Sequence, residues 1–274
     1  MPELPEVETT RRALIRAVVQ ERLVAVRVRD ERLRRPVPPV AQWERLVGRR
    51  LLAVERRAKF LVWHFECDPR VLVHLGMSGR LVRADDATPY ERHDHVGWRF
   101  SNGVEIRLRD PRRFGLVDLV DDVDLPEHPS LRRLGMEPLS DDLDVSALFL
   151  STRGVRRSVK ALLLDGRWIV GVGNIYASEA LHRAHIHPQR AAGAIGKARW
   201  QRLMVAIRET LTQAIDEGGT TLRDYASVDG ELGHFSERLQ VYGRERAACM
   251  RCGRAIRRVV QSGRSTYYCP GCQR

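Results

Sequence analysis

The chain has 274 residues, 43% of them hydrophobic, and a formal net charge of +12. That is enough for two domains and a small appended element, and the basic excess points to a polyanionic partner. No apolar run reaches the length of a membrane span, and the N-terminus carries acids with no apolar core, so neither a spanning protein nor a secretory leader is expected.

In chain order, Pro5 followed by Glu6-Val7-Glu8 reads as a helix start, with Val7, Thr10, Leu14 and Val18 at helical spacing to about Val19. Eight short β-like runs follow: Leu23–Val28, Leu51–Glu55, Phe60–Phe65, Val71–Leu75, Arg80–Arg83, Val96–Phe100, Val104–Leu108 and Leu116–Val120. Asn102-Gly103 between two of them is a hairpin signal, and the spacing predicts a β-sandwich or barrel. Past Glu137-Pro138 the pattern turns helical. Ser140 before Asp141-Asp142 reads as a helix cap, and Ser158 as another start ending at Asp165-Gly166. Leu203, Ile207, Leu211 and Ile215 line one face of a long helix that stops at Gly218-Gly219. The predicted architecture is α+β, divided at 1–136, 137–243 and 244–274.

The C-terminal piece carries C-x2-C, sixteen residues, C-x2-C: Cys249, Cys252, Cys269 and Cys272. Four thiolates at this spacing suit one tetrahedral structural Zn2+, although two disulfides would also satisfy it. Arg251, Arg254, Arg257, Arg258 and Arg264 lie inside this frame and no acid does, which suits phosphate contact. With Cys67 standing alone, four zinc thiolates imply a reducing, cytoplasmic setting. Of the 47 basic residues only Lys59, Lys160 and Lys197 are lysine. Arg serves wherever charge alone is needed, so a retained Lys draws attention because it can give up its proton.

Two local patterns carry chemistry. Gly171-Val172-Gly173-Asn174 before a helix resembles a dinucleotide turn, but Tyr176 stands in place of the third glycine and no βαβ unit surrounds it. What remains is a helix N-terminus able to hold one phosphate. At the other end, removal of Met1 would leave Pro2 as a secondary amine. Such an amine is unprotonated at neutral pH far more often than a lysine, and it can attack a sugar C1′ to form an iminium while Glu3 shuttles protons. A helix-starting Pro with a capping Glu is the plain alternative.

The opening Met1-Pro2-Glu3-Leu4-Pro5-Glu6-Val7-Glu8-Thr9 resembles the signature of formamidopyrimidine-DNA glycosylases. The likeness continues through Arg57-Ala58-Lys59-Phe60, His74-Leu75-Gly76-Met77-Ser78-Gly79, His93-Asp94-His95-Val96 and Asp110-Pro111-Arg112-Arg113-Phe114-Gly115. It persists in Val170–Glu179, Gly218–Asp224, Gln240–Arg244 and the zinc frame. The resemblance implies an N-terminal β-sandwich with its leading helix, a helix-two-turns-helix domain and a zinc-finger β-hairpin. It also implies excision of 8-oxoguanine and formamidopyrimidines from double-stranded DNA, followed by β,δ-elimination, by a monomer.

Carried onto these positions, Pro2 resembles the nucleophile, Glu3 the acid at the sugar ring oxygen, and Lys59 the lysine near the lesion phosphate. Arg264 resembles the hairpin arginine that assists the second elimination, and with Asn174 would clamp the backbone at the flipped nucleotide. Met77, Arg112 and Phe114 match the trio that fills the void left by the flipped base; an apolar wedge and a cytosine-reading arginine suit that task. His74, His93, Lys160, Tyr242 and Arg156 resemble further backbone contacts, Arg156 standing where a Lys is expected. The segment Gly218–Asp224 resembles the loop that closes over the flipped base, and Glu217–Tyr225 is expected to be mobile without DNA.

Three alternatives are kept open. The fold could be retained without catalysis, in which case Pro2 need not be exposed. A sister subfamily acts on oxidised pyrimidines, against which Leu4, the Met77/Arg112/Phe114 trio and Gly218–Asp224 argue. His93-Asp94-His95 could hold a second metal, which the resemblance does not require, and His182, His185 and His187 are expected to follow a helix and cap it or face solvent.

Overall fold

In the computed structural model, which describes residues 2–221, 228–230 and 232–274, the N-terminal periodic pattern forms α1, Leu4–Val18. Val7, Leu14 and Val18 are buried on one face. Pro5 sits in the first turn, where a missing N–H costs nothing.

The β-like runs become strands whose limits shift by two residues or fewer: β1 Leu23–Val28, β2 Leu51–Arg57, β3 Phe60–Phe65, β4 Arg70–His74, β5 Arg80–Ala84, β6 Asp94–Phe100, β7 Glu105–Arg109 and β8 Leu116–Val120, with a one-turn helix α2 at Val40–Trp43 after β1. They make two four-stranded antiparallel sheets, β1-β6-β7-β5 and β2-β3-β4-β8. Between them Trp63 packs on Trp98 (5.0 Å) and Trp98 on Trp43 (6.0 Å). All three rings are buried, and pairs of this kind contribute about 1 kcal/mol each beyond their buried area. Asn102-Gly103 closes the β6–β7 hairpin, with Gly103 at φ +81° and the Asn102 Oδ1 accepting from Val104 N at 3.1 Å.

Register brings two crossovers together. In the second sheet His74 at the end of β4 pairs with Leu116 at the start of β8; in the first, Arg80 at the start of β5 pairs with Arg109 at the end of β7. The connections 75–79 and 110–115 therefore pass between the sheets side by side.

By its contacts the chain divides into two units, Met1–Arg132 with Glu217–His234, and Arg133–Asp216 with Phe235–Arg274. The 217–234 stretch belongs to the first because Val228 is buried in the sandwich core and its carbonyl accepts from Arg83 N at 2.9 Å. Residues 222–225 of the segment expected to be mobile without DNA lie outside the described residues. At its root Thr220 bridges His234, and Gly218 and Gly219 hold φ of +76° and +88°.

In the second unit α3 (Val145–Ser151), α4 (Val159–Leu163), α5 (Asn174–Arg183) and α6 (Lys197–Asp216) precede the hairpin of β9 (Arg257–Gln261) and β10 (Arg264–Tyr268). Leu203, Ile207, Leu211 and Ile215 are buried on α6, as their spacing predicts. One cap differs. Asp144, not Ser140, starts α3, its carboxylate accepting from Ser146 N (2.7 Å) and Ala147 N (3.1 Å). Ser140 instead closes a turn, its hydroxyl accepting from Asp142 N. An Asp directly before the apolar run outcompetes a Ser four residues upstream for those N–H groups.

Candidate active site and nucleic-acid contacts

The first unit holds one group of site residues. The Glu6 side chain reaches back to accept from Glu3 N at 2.7 Å, half of a capping box, and its second oxygen accepts from Thr220 N, also at 2.7 Å. One buried carboxylate thus fixes both the residue after Pro2 and the root of the 217–221 segment. Pro2 and Glu3 are themselves buried. Exposure of Pro2 was the expected mark of a catalytic chain; here it is not exposed, because the chain start is drawn down onto its own helix by Glu6.

Lys59 is the second residue of the two-residue turn joining β2 to β3, after Ala58 at φ +55°. A non-glycine residue in that region is strained by about 1–2 kcal/mol, so something must hold it. Arg56 does, donating to the Ala58 carbonyl at 3.0 Å and to Glu8 on α1 at 3.2 Å. Glu8 also accepts from Arg11 (2.8 Å) and Arg12 (3.3 Å). Burial works to raise the Glu8 carboxyl, but the bond from Arg11 and the charges of Arg11, Arg56 and Arg12 outweigh it and hold it below the usual range. The first turns of α1 and the Lys59 turn are therefore one rigid assembly.

The side-by-side crossovers carry the trio expected to fill the void. Met77 and Phe114 are 42% and 43% exposed, unusual for large apolar side chains with a core close by. The Arg112 guanidinium lies over the Phe114 ring at 4.9 Å, a cation–π contact that fixes both. His93 is half-buried and its carbonyl accepts from Asp110 N at 3.0 Å. Asp94 pairs with Arg109 at 2.7 Å, and the His95 ring meets the Asp110 carbonyl at 2.8 Å. Those two residues are thus committed within the sandwich.

His74 closes β4, stacked on Phe60 at 4.6 Å. Its Nδ1 accepts from Gly76 N at 3.0 Å, which leaves the proton of the neutral ring on Nε2, a donor suited to a phosphate oxygen. Burial, then the charges of Lys59 and Arg34, push His74 down from 6.5 to about 4. The sign follows. As pH falls below 6.5 the unfolded chain takes up this proton and the folded one does not, so stability is complete above 6.5 and is lost down to about 4. The loss attributable to this ring is at most about 3 kcal/mol. Denaturant titrations at several pH values should show wild type losing stability relative to His74→Gln only in that window; parallel curves would contradict the assignment.

The second unit holds the other group. Asn174 is the first residue of α5 after Gly173, as the glycine-rich turn predicts. Its amide donates to the Ser265 carbonyl (2.9 Å) and to the Tyr242 hydroxyl (3.4 Å). Tyr242 packs edge-on against Tyr267 at 5.0 Å. Glu179, buried one turn further along α5, accepts from the backbone N–H groups of Gln240, Val241 and Tyr242 at 2.8–3.0 Å. That presents Tyr242 to Asn174. Arg156 and Arg264 are exposed. Arg264 follows a two-residue turn, Ser262-Gly263, with φ of +49° and +72°, the geometry of a type I′ hairpin.

Lys160, expected to contact the DNA backbone, lies inside the protein. It is 1% exposed, and its ammonium donates to Asn174 Oδ1 (2.7 Å), Thr266 Oγ1 (2.8 Å) and the Ser265 carbonyl (3.3 Å). A buried ammonium is tolerable only when so surrounded by acceptors. These bonds join α5 to the hairpin.

The four cysteine sulfurs lie within 4.8 Å of one another, close to the edge of about 3.8 Å of a tetrahedron with Zn–S near 2.3 Å. Burial and neighbouring thiols raise Cys272, whereas at Cys249 burial is outweighed by backbone N–H groups and its thiol neighbours, which hold it below the ordinary thiol range. The residues present fit one structural Zn2+. His182 brings a further group, its Nε2 lying 3.7 Å from Cys249 Sγ. It is a buried residue of the last turn of α5, not one that follows the helix into solvent. His187 packs on Tyr268 at 4.6 Å.

Family profiles match along the chain: the Formamidopyrimidine-DNA glycosylase N-terminal domain over residues 1–117, the Formamidopyrimidine-DNA glycosylase H2TH domain over 134–226, and the zinc finger found in FPG and IleRS over 248–274. The formamidopyrimidine-DNA glycosylase of Aromatoleum aromaticum is 53% identical, and that of Magnetococcus marinus 49%, each alignment spanning the whole of both chains. The chain belongs to the formamidopyrimidine-DNA glycosylase family. MutM (FPG) from Thermus thermophilus is 42% identical with a TM-score of 0.88 over 99% of this chain and 98% of that one. Lactococcus lactis Fpg, in complex with an abasic site containing DNA, is 32% identical with a TM-score of 0.92 over 99% of both.

Several residues that hold the site residues in place were not singled out as such in the sequence reading. The tertiary roles of Glu6 and Glu179 could not be read from the chain because their partners lie far along it; Glu6 and Thr220 are 214 residues apart. A buried acid within a motif was the available signal.

Proposed function

We propose that this member of the formamidopyrimidine-DNA glycosylase family, a bifunctional DNA glycosylase and AP lyase, uses the freed amine of Pro2 as its nucleophile. The amine attacks C1′ of an extruded oxidised purine nucleotide while Glu3 protonates the ring oxygen. The base departs with a proton, the sugar opens, and an iminium links Pro2 to C1′. Loss of a C2′ proton then expels the 3′ phosphate, and a second elimination expels the 5′ phosphate. Lys59 serves the lesion phosphate, Arg264 and Asn174 the flanking backbone, and Arg264 assists the second elimination.

The observation that carries this reading is the Glu6 carboxylate holding Glu3 and Thr220 together. It ties the residue after Pro2 to Thr220, at the root of the segment expected to close over the base. The lesion-bearing duplex is engaged by a monomer in the cytoplasm, largely through phosphates, so affinity should fall steeply with salt.

The test is borohydride trapping on a duplex with one 8-oxoguanine opposite cytosine, followed by peptide mass spectrometry. A covalent adduct at Pro2 is expected. An adduct at Lys59 or Lys160 would keep the enzyme and overturn the assignment; no adduct from a Met1-free chain that still binds DNA would overturn the mechanism.

A further inference from the structure

Asp110 is fully buried (0% exposed). Its two carboxylate oxygens are shared between the side-by-side crossovers. Oδ1 accepts from the Ser78 hydroxyl at 2.7 Å, and Oδ2 from Gly115 N at 2.7 Å. Arg112 N is shared between Asp110 Oδ1 and Ser78 Oγ, at 3.3 Å each. Ser78 directly follows Met77, and Gly115 directly follows Phe114. One carboxylate therefore ties the base of the Met77 turn to both ends of the Arg112–Phe114 turn.

The backbone of Asp110 is held in turn, its N–H by the His93 carbonyl and its carbonyl by His95 Nε2 (2.8 Å) and Arg113 N (3.2 Å). The turns also touch directly. Gly76 stands at φ +68°, and a Cβ there would lie 2.6 Å from Gly115 N, so no other residue fits between them.

We propose that Asp110 is a positioning residue for lesion extrusion, welding the two crossovers so that Met77, Arg112 and Phe114 enter the duplex as one preformed wedge. The inference rests on the reading of those three side chains as void fillers. Its physical basis is that unstacking a base step is costly, and two independently mobile turns would add the loss of their own freedom to that cost. A carboxylate suits the task because only an acceptor-only group can take hydrogen bonds from a hydroxyl and two N–H groups at once.

The experiment compares Ser78→Ala, Asp110→Asn and Phe114→Ala on two substrates. One is an 8-oxoguanine duplex with a fluorescent base beside the lesion, which reports filling of the void; the other is a single-stranded abasic oligonucleotide, which has no void to fill. Ser78→Ala and Asp110→Asn should each slow the fluorescence step and lower duplex excision about tenfold, with nicking of the single strand changed by less than about twofold. Ser78→Ala removes only the cross-turn bond and keeps the question answerable if Asp110→Asn fails to fold. Equal losses on both substrates would overturn the proposal, as would duplex rates unchanged in Ser78→Ala while Phe114→Ala is impaired. If Phe114→Ala also left duplex excision intact, the void-filling reading itself would have failed.

Discussion

Blocking the amine of Pro2, by retention of Met1 or by acetylation, should lower excision of 8-oxoguanine by about 10³-fold or more while leaving lesion-DNA affinity within a small factor. An amide nitrogen has no lone pair to offer C1′, and loss of a nucleophile removes most of the catalysis that depends on it. Binding is carried elsewhere, by phosphate contacts that the blocked amine does not make. Glu3→Gln should show a related loss of about 10²–10⁴-fold, the usual worth of a positioned general acid. Single-turnover excision and a binding titration on the same preparations separate the two quantities. If the blocked protein still excises the base at the normal rate, Pro2 is not the nucleophile, whatever the trapping result.

Removing zinc should have the largest effect on structure. The thiolate cluster's small core contains only Val241, Cys249, Ile256 and Cys269, with Tyr267 and Cys272 against it. A core of that size cannot offset the ordering of the hairpin, whereas a structural zinc contributes on the order of 10–16 kcal/mol near neutral pH. Chelation, or Cys269→Ser, should therefore melt the β9–β10 hairpin and release Arg264 and the Ser265 carbonyl that Lys160 and Asn174 bind. Affinity for lesion DNA should drop by about 10²-fold or more, with a shallower dependence on salt as phosphate contacts are lost. The α1 sandwich unit should keep its folded signature, because none of its core depends on the metal. Amide spectra with zinc present and removed check both halves. A hairpin that stays folded and binds DNA after chelation would show the cysteines to be dispensable.

Much of this was legible in the chain. The strands were, because short β-branched and aromatic runs bounded by turn residues mark them, and β1, β3 and β8 fall at the residues expected. The zinc frame was, because its ligands are paired within four residues. Pro2, Lys59 and Asn174 were singled out because each carries chemistry in its own right: a secondary amine after a removable Met, a Lys among arginines, and a helix-starting Asn after Gly173.

Other positions could be decided only by tertiary structure. That Lys160 points inward follows from acceptors 106 residues away on the hairpin. That His182 faces Cys249 follows from α5 packing under a metal site 67 residues further on. Asp110 reads in sequence as one acid of a motif, and only the pairing of β4 with β8 and β5 with β7 sets it between two turns. The division has one physical reason. Amine chemistry, thiolate spacing and hydrophobic period are local properties, carried by the residues themselves. Whether an ionic group is buried, and what it then joins, depends on which distant backbone the fold brings to it.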